Sequence, residues 1–318
     1  MRLNESEIPK YISSSLQLGI LLEVSAPKPG NVNKNSSFET TKFEHFLASA
    51  VAVAPSFKRA AEQGIKVSKR AIQPEQIGIG GIMKEAVMNI NAWQSGGNTL
   101  LGTVLLLSPI AAAAGISLAR DSGLSSSGLR EDIGLVVEST TPSDAVAVYE
   151  AINMAGPNGL VGKAPSLDVN DPNSKIKLME ERITLYEVFK ISAPYDSISK
   201  EWVENYPVTF DMGLPYFTQQ LKETGNLNTA IVHTFLRVLS KVSDTLIIRK
   251  AGPRKAEAVS SKAREVMKLG GLMTSLGREK LSRLDKELRG PMNKLNPGTT
   301  ADIMAAVLSV ALLKGYRP

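Results

Sequence analysis

The stretch TLLGTVLLLSPIAAAAGISLA, residues 99–119, decides the fold because it contains no charged residue. About 20 apolar residues suffice to cross a bilayer, but helices that are hydrophobic on every side also form the centres of large helical proteins. Ser108 and Pro109 interrupt the run, and neither a lysine–arginine cluster nor an aromatic belt flanks it. We therefore expect a buried core helix rather than a membrane span.

Apolar residues at helical spacing dominate the chain on both sides of this stretch. Residues 156–173, rich in Gly, Pro, Asn and Asp, predict a loop, and residues 244–250 (DTLIIRK) are the best short strand candidate. We expect an all-α protein, a single compact multi-helix domain over residues 1–318 with the apolar helix at its centre. Helices are predicted over residues 5–24, 43–64 with a kink or break near Pro55, 74–93, 125–139, 141–155, 175–191, 227–242, 254–271 and 300–314.

The composition narrows the function classes. The 37 Lys and Arg residues exceed the 31 Asp and Glu residues by six, which suits anionic small molecules rather than nucleic acid. There is no cysteine, so disulfides, thiolate nucleophiles and cysteine metal sites are excluded. The N-terminus lacks a basic-then-apolar signal pattern. We expect a cytoplasmic protein with small-molecule partners and with neither nucleic-acid nor membrane partners, for which a homodimer is left open.

Four polar segments, each joined to a predicted helix, carry the candidate chemistry. The first, EVSAPKPGNVN, begins at Glu23, which can hold a cation or position a hydroxyl. Pro27 and Pro29 stiffen the backbone around Lys28, whose ammonium is a good phosphate partner. Gly30 lets a ligand or another segment approach closely. The alternative interpretation is a helix end with an exposed lysine.

The second segment is GGNTLLG, residues 96–102. Its glycines and the following Asn98 and Thr99 predict a helix start, with Asn98 as the cap. The free N–H groups and the dipole of a helix start can bind an anion. Capping of the core helix is the simpler interpretation, and the two are compatible.

The third segment is SDTLIIRKAGPRK, in which Asp244 and Thr245 precede Arg249 and Lys250. An acid that can hold Mg²⁺ beside several cations is what a polyphosphate needs, because the metal bridges phosphate oxygens and the cations take the remaining charge. The alternative is a solvated basic turn.

The fourth segment is LNPGTTADIMAAVL, in which Pro297 and Gly298 turn the chain. Thr299 or Thr300 is predicted to cap a helix that carries Asp302 in its first turn. Such an aspartate either compensates the helix dipole or supplies a second metal-binding carboxylate.

Taken in this order, the segments resemble the triphosphoribosyl-dephospho-CoA synthase family. Its members carry a Pro-Lys-Pro-Gly turn after a helix ending in Glu, an Asn-Thr motif closing on Gly, a Tyr-Pro segment leading to Leu-Pro, an Asp-Thr segment ending in Arg and Gly, and a final Pro-Gly-x-x-Ala-Asp. The matching residues are Glu23 with 27–30, then Asn98, Thr99 and Gly102, then 205–217, then Asp244, Thr245, Arg249 and Gly252, and last Pro297, Gly298, Ala301 and Asp302.

The resemblance implies an all-α enzyme that transfers the triphosphoribosyl part of ATP to the ribose 2′-hydroxyl of 3′-dephospho-CoA and releases adenine. Mg²⁺ would be the cofactor, ATP a substrate. Glu23 and Asn98 would then be catalytic, and Asp244 and Asp302 would hold the metal. The phosphates would contact Lys28, Gly30, Thr99, Gly102, Thr245, Arg249 and Gly298.

Some positions depart from the family pattern. Family enzymes of known activity place a His-Lys pair after the Asn-Thr, where this chain has Leu100 and Leu101, and Leu246 stands where an Asn normally follows the Asp-Thr. A Gly-Ala-His and Asp-Met segment of the family is replaced by NKNSSFETT. Two alternatives follow: a nucleotide- or CoA-binding protein without transferase activity, and a ribosyl transferase with a different acceptor.

Overall fold

The computed structural model describes residues 4–121, 123–156, 164 and 166–318. Within these residues the chain is helical and contains no strand; its one β feature is an isolated bridge between Asn33 and Ser36. The all-α prediction is therefore confirmed. The α-helices are α1 Ile8–Ser25, α2 Phe43–Ser68, α3 Ile79–Trp93, α4 Leu101–Arg120, α5 Ser126–Glu138, α6 Pro142–Ala155, α7 Pro172–Glu180, α8 Leu185–Ser192, α9 Ser197–Val203, α10 Leu214–Thr224, α11 Leu227–Lys241, α12 Thr245–Ala251, α13 Pro253–Lys268, α14 Ser275–Leu288 and α15 Gly298–Leu313.

The uncharged stretch forms α4, the central helix. It is long and apolar enough to cross a membrane, yet 15 of its 20 residues are buried against other helices. It packs on α1, α2, α3, α5 and α15. Helix α15 is buried over an even larger share of its length, with 13 of its 16 residues buried. The expectation of a buried apolar core helix is confirmed, and the core runs as one cluster from Ile8 to Leu313.

Pro109 interrupts the apolar run of the sequence but not helix α4. A proline inside a helix removes the N–H that would bond the carbonyl four residues earlier, which here belongs to Leu105. That carbonyl instead accepts a hydrogen bond from the indole Nε1 of Trp202, at 2.9 Å. The next carbonyl, of Leu106, accepts one from the hydroxyl of Tyr206 at 3.0 Å. Two buried aromatic side chains thus complete the hydrogen bonding that Pro109 disturbs.

Several predicted boundaries are corrected. Helix α2 runs through Pro55 and ends four residues beyond the predicted Gly64. The strand candidate at residues 244–250 is helix α12, because the carboxylate of Asp244 caps it. Residues 175–191 form two helices, α7 and α8, rather than one. Of the predicted loop, residues 157–163 and 165 lie outside the described residues, and α7 begins within its last two positions.

Candidate active site

A cavity of about 630 Å³ opens where the end of α1 meets the starts of α4 and α15 and the last turn of α12. Its wall is built from all four polar segments of the sequence, although the lining residues Glu23 and Asp302 lie 279 positions apart in the chain. Seven of the eleven predicted site residues line it: Glu23, Asn98, Thr99, Gly102, Arg249, Gly298 and Asp302. The other four, Lys28, Gly30, Asp244 and Thr245, lie outside the lining.

Glu23 supplies one of two carboxylates that line this cavity at its acidic end. It lies in the last turn of α1 and is only 6% exposed. Burial raises the pKa of this carboxyl, and the charge of Lys28 acts in the opposite direction. The ammonium of Lys28 lies 3.0 Å from Oε1 of Glu23. A buried carboxylate with one cationic partner can take a proton from a bound substrate if its second oxygen reaches the cavity.

Asp302 is the second carboxylate. Its Oδ1 accepts a hydrogen bond from the hydroxyl of Thr103 at 2.6 Å. A Cβ on Gly102 would stand 2.1 Å from Oδ2 of Asp302, so only a glycine lets α4 approach this closely. Burial raises the pKa of Asp302 to about 8, and the negative charges of Glu23 and Asp244 add to the effect. Asp302 is partly exposed and lines the cavity.

Asp302 lies in the second turn of α15 rather than the first, which corrects the sequence analysis. The helix begins at Gly298 and its N-cap position is Pro297. Neither Thr299 nor Thr300 caps it. The hydroxyl of Thr300 instead donates to Asp244 at 2.8 Å.

Lys28 is fully buried behind the cavity wall. Its ammonium donates to the backbone carbonyl of Glu23 and to that of Ala26, the latter at 3.2 Å, and forms the ion pair with the Glu23 carboxylate. A lysine ammonium has three N–H donors, and three acceptors of the same turn surround this one. The structure therefore directs Lys28 to Glu23 and leaves no donor for a phosphate.

Gly30 also serves the packing of this turn. Its φ of +73° is a conformation that other residues rarely adopt, and a Cβ here would stand 2.6 Å from the Cβ of Leu288. Its N–H donates to Oδ1 of Asp285 at 2.8 Å. Of the two uses foreseen for Gly30, the structure shows the approach of another segment.

Asp244 is 2% exposed and holds two helices together. Its Oδ1 caps α12 by accepting from the N–H groups of Leu246 and Ile247, and its Oδ2 accepts from the N–H and the hydroxyl of Thr300 on α15. With four donors, both oxygens are occupied. The hydroxyl of Thr245 donates to that of Thr299 at 3.2 Å and reinforces the same junction.

The last turn of α12 gives the cavity its cationic end. Arg249 forms an ion pair with Asp196 at 2.5 Å, and both line the cavity. Lys250 also lines it, and within the described part of the chain no ion pair or hydrogen bond to its ammonium is recorded. Burial lowers the pKa of Lys250, while the charge of Asp244 opposes this. An anionic ligand would relieve the cost of burying this cation.

Asn98 and Thr99 line the start of the core helix. The side-chain oxygen of Asn98 accepts from the N–H of Leu101, the first residue of α4, at 3.1 Å. The N-cap position is Leu100, so the prediction that Asn98 occupies it is wrong by two residues, although its side chain does bond the helix start. The hydroxyl of Thr99 lies 2.7 Å from that of Ser49. Leu100 and Leu101, which stand where family enzymes have the His-Lys pair, line the cavity as well.

Sequence reasoning missed several polar residues that line the cavity. Asn296 donates to the carbonyl of Gly30 at 2.8 Å and to the side-chain oxygen of Asn31 at 3.1 Å, and so joins the first polar segment to the fourth. The only signal was the position of Asn31 and Asn296 beside glycine- and proline-containing turns. Other polar lining residues that the sequence reasoning missed include Thr103, Tyr195, Ser199 and Asn293.

The cavity is apolar over part of its wall. Helices α4, α6, α8 and α9 contribute Leu105, Val148, Phe189 and Ile198 to its wall. Such a surface suits a flat, uncharged group, and a nucleobase has that character. The cavity thus combines a carboxylate pair, a cationic helix end and an apolar wall.

The carboxylates at the cavity allow a limited test of the predicted metal. Among the described residues no group of three or more His, Cys, Asp and Glu side chains is arranged to hold an ion. Asp244 does not fit as a ligand because four donors occupy its oxygens. Mg²⁺ in nucleotide sites needs only one or two carboxylates together with substrate phosphates, so Asp302 fits.

Comparison with known proteins identifies relatives of this chain. A protein from Pseudomonas fluorescens (strain Pf-5), named a probable 2-(5″-triphosphoribosyl)-3′-dephosphocoenzyme-A synthase, is 23% identical over 290 residues, which are 89% of this chain and 84% of the relative. A Malonomonas rubra protein of the same name is 25% identical over 95% of this chain and 87% of the relative.

A solved structure assigned as a triphosphoribosyl-dephospho-CoA synthase from Archaeoglobus fulgidus superposes with a TM-score of 0.63 at 26% identity. The match covers 87% of this chain and all of the other. The model of the family described as ATP:dephospho-CoA triphosphoribosyl transferase matches residues 9–318. With nearly its whole length matched, the chain belongs to the ATP:dephospho-CoA triphosphoribosyl transferase family.

Proposed function

We propose that this protein transfers the 5-triphosphoribosyl group of ATP to a hydroxyl of 3′-dephospho-CoA and releases adenine. The observation that supports the proposal is the cavity itself, whose lining includes the carboxylates of Glu23 and Asp302 and the cationic last turn of α12. Membership of the family supplies the reaction class. ATP and dephospho-CoA as small-molecule substrates and a cytoplasmic location belong to the same proposal, with which a homodimer is compatible.

The reaction breaks the bond between C1′ of the ribose and N9 of adenine and forms a bond from C1′ to the acceptor oxygen. The proton of the acceptor hydroxyl passes to Glu23, and adenine leaves as the neutral base after taking up one proton from water. Glu23 returns its proton to water before the next turnover, so that no proton is gained or lost overall. Lys28 acts indirectly, since it holds Glu23 in place and favours its ionised form. A positioned base of this kind contributes about 10²–10⁴ to the rate.

The departing adenine lies near the start of α4 in this proposal. The oxygen of the Asn98 amide is committed to Leu101, so its NH₂ group is left to donate to a ring nitrogen of adenine. This contact stabilises the leaving base. The apolar wall at Phe189 and Val148 accepts the flat faces of the ring.

The triphosphate lies at the cationic end. Arg249 and Lys250 provide positive side chains, and the starts of α4 and α15, at Gly102 and Gly298, add N–H groups and helix dipoles. Mg²⁺ held by Asp302 and the phosphate oxygens would neutralise further charge there. Thr99 completes the lining on the α4 side.

The test is an assay of free adenine and of product mass after incubation of the purified protein with ATP, Mg²⁺ and 3′-dephospho-CoA. We expect one adenine for each triphosphoribosyl group transferred. Adenine release with another hydroxyl acceptor alone would retain the chemistry and change the acceptor. Nucleotide binding without adenine release, for every acceptor tried, would contradict the proposal and favour a nucleotide- or CoA-binding protein.

A further inference from the structure

The cavity is too small to enclose both substrates of the proposed reaction. Cavities of roughly 300–1,000 Å³ enclose a single drug-sized ligand, and this one measures about 630 Å³. Transfer needs ATP and the acceptor nucleotide in contact at the same time. The reacting ribose carbon and the acceptor hydroxyl must both lie at the carboxylates. The remote part of the bound acceptor therefore has to extend out of the cavity through its opening to solvent, which we call the mouth.

The mouth carries exposed apolar side chains that do not pack in the hydrophobic core. Large hydrophobic side chains that are exposed and also line the cavity are found at three described positions, Ile191 (38% exposed), Tyr195 (43%) and Met292 (74%). We call these three residues the mouth patch. They come from the end of α8, the turn that follows it, and the segment between α14 and α15.

The segment that carries Met292 has an unusual backbone. Met292 and Asn293 both adopt left-handed conformations, with φ of +57° and +50°. Each such residue costs on the order of 1–3 kcal/mol unless its surroundings favour it, and strain of this kind clusters at ligand-binding sites. The two strained residues both line the cavity. The backbone thus presents a long, adaptable methionine side chain at the mouth instead of packing it inside.

We propose that the mouth patch binds the uncharged amide-and-alkyl arm of the acceptor nucleotide. The inference rests on the proposed function and adds the location of the arm. The nucleotide end of the acceptor enters the cavity, and the arm crosses Tyr195, Ile191 and Met292 at the surface. An apolar patch without a charged member suits a chain of methylene and amide groups better than a phosphate.

The experiment compares binding of 3′-dephospho-CoA with that of ADP, which shares its nucleotide part and lacks the arm. Calorimetry is carried out with the wild-type protein, with Met292→Ser, and with the Tyr195→Ser/Met292→Ser double variant. Met273→Ser is the matched control, because Met273 is 60% exposed and lies outside the cavity lining. Adenine release is measured in parallel, so that failure of catalysis and failure of arm binding are distinguished.

We expect the wild type to bind dephospho-CoA more tightly than ADP, and the double variant to lose about 10-fold in affinity for dephospho-CoA alone, as burial of apolar side chains predicts. The Met273→Ser control should match the wild type. Equal loss for ADP and dephospho-CoA, no loss, or equal wild-type affinities for the two ligands would overturn the inference. A changed oligomeric state with unchanged affinity would make the patch a contact between copies and would overturn it as well.

Discussion

Two aspartates that the sequence presents alike, Asp244 and Asp302, occupy contrasting environments. Each lies near the start of a helix in a polar segment, and burial raises the pKa of both. Asp244 receives four hydrogen bonds and joins α12 to α15. Asp302 is contacted by the hydroxyl and the backbone N–H of a single residue, Thr103, and lines the cavity together with Glu23. The number of donors that the fold supplies separates the carboxylate that holds the structure together from those available to a ligand.

The largest expected effect is on catalysis at the cavity-facing pair. Glu23→Gln removes the proposed base, and we expect turnover to fall about 10²–10⁴-fold while ATP still binds. Adenine release and ATP affinity are the measurements, with Glu75→Gln as the exposed control. Near-normal turnover in Glu23→Gln would remove this residue from the mechanism.

For Asp244, the expected effect of a substitution is on the stability of the fold. Asp244→Ala leaves the N–H groups of Ile247 and Thr300 without their acceptor, whereas that of Leu246 keeps the hydroxyl oxygen of Thr299. We expect a loss of about 3–5 kcal/mol in the free energy of unfolding, as for a broken buried charged contact. Urea denaturation measures it. Asp302→Asn should cost far less, because one residue, Thr103, contacts its carboxylate through its hydroxyl and its backbone N–H. Equal losses of unfolding free energy in the two variants would contradict the distinction between a structural Asp244 and a ligand-accessible Asp302.

The pH dependence of stability sharpens the comparison further. The pKa of Asp302 is about 8 in the folded protein, against an ordinary value near 3.8. Between these values the folded state keeps a proton that the unfolded chain has lost, so this group makes the protein less stable as the pH rises from about 4 to 8. Each pKa unit corresponds to about 1.4 kcal/mol, and solvent in the cavity screens part of it.

Asp302→Asn should therefore flatten the fall in stability over this pH range. Urea denaturation of wild type and variant at pH 5, 6, 7 and 8, without divalent metal, measures the difference. The gap between the two curves should widen in favour of the variant as the pH rises. Parallel curves would show that Asp302 is already ionised in the folded state.

A smaller effect is expected at the cationic end. Lys250→Ala removes a charge that lines the cavity, whereas Arg254, four residues later, lies outside the lining. We expect the KM for ATP to rise about 10-fold in Lys250→Ala, the scale of one charged hydrogen bond, and to stay unchanged in Arg254→Ala. Steady-state kinetics with varied ATP decide it, and equal effects in the two variants would mean that only the overall charge matters.

Much of the fold could be predicted from the sequence because helical periodicity is a local signal. The apolar run at residues 99–119 identified the core helix, and the four polar segments identified much of the cavity lining. The outcome at Pro109 could not be predicted, since the indole that bonds the carbonyl of Leu105 lies 97 residues away. The sequence shows the proline but not the distant indole of Trp202 that takes the place of the missing N–H donor.

The roles of individual side chains were the least predictable part. Lys28 looked like a phosphate ligand, but its direction depends on how the turn folds back on the end of α1. Asp244 and Asp302 could not be told apart, because the neighbour that distinguishes each of them is distant in the chain. Asp244 is contacted by Thr300, and Asp302 lies against Gly102. Such contacts follow from tertiary structure and leave no local pattern.

The most direct test is a crystal structure of the protein with Mg²⁺ and an ATP analogue whose ribose is joined to the base by a carbon–carbon bond. We predict that its triphosphate lies against Arg249, Lys250 and the start of α15, with C1′ facing Glu23 and Asp302. A nucleotide bound elsewhere on the surface would contradict the account. So would one whose base lies at the carboxylates and whose phosphates lie against the apolar wall at Val148 and Phe189.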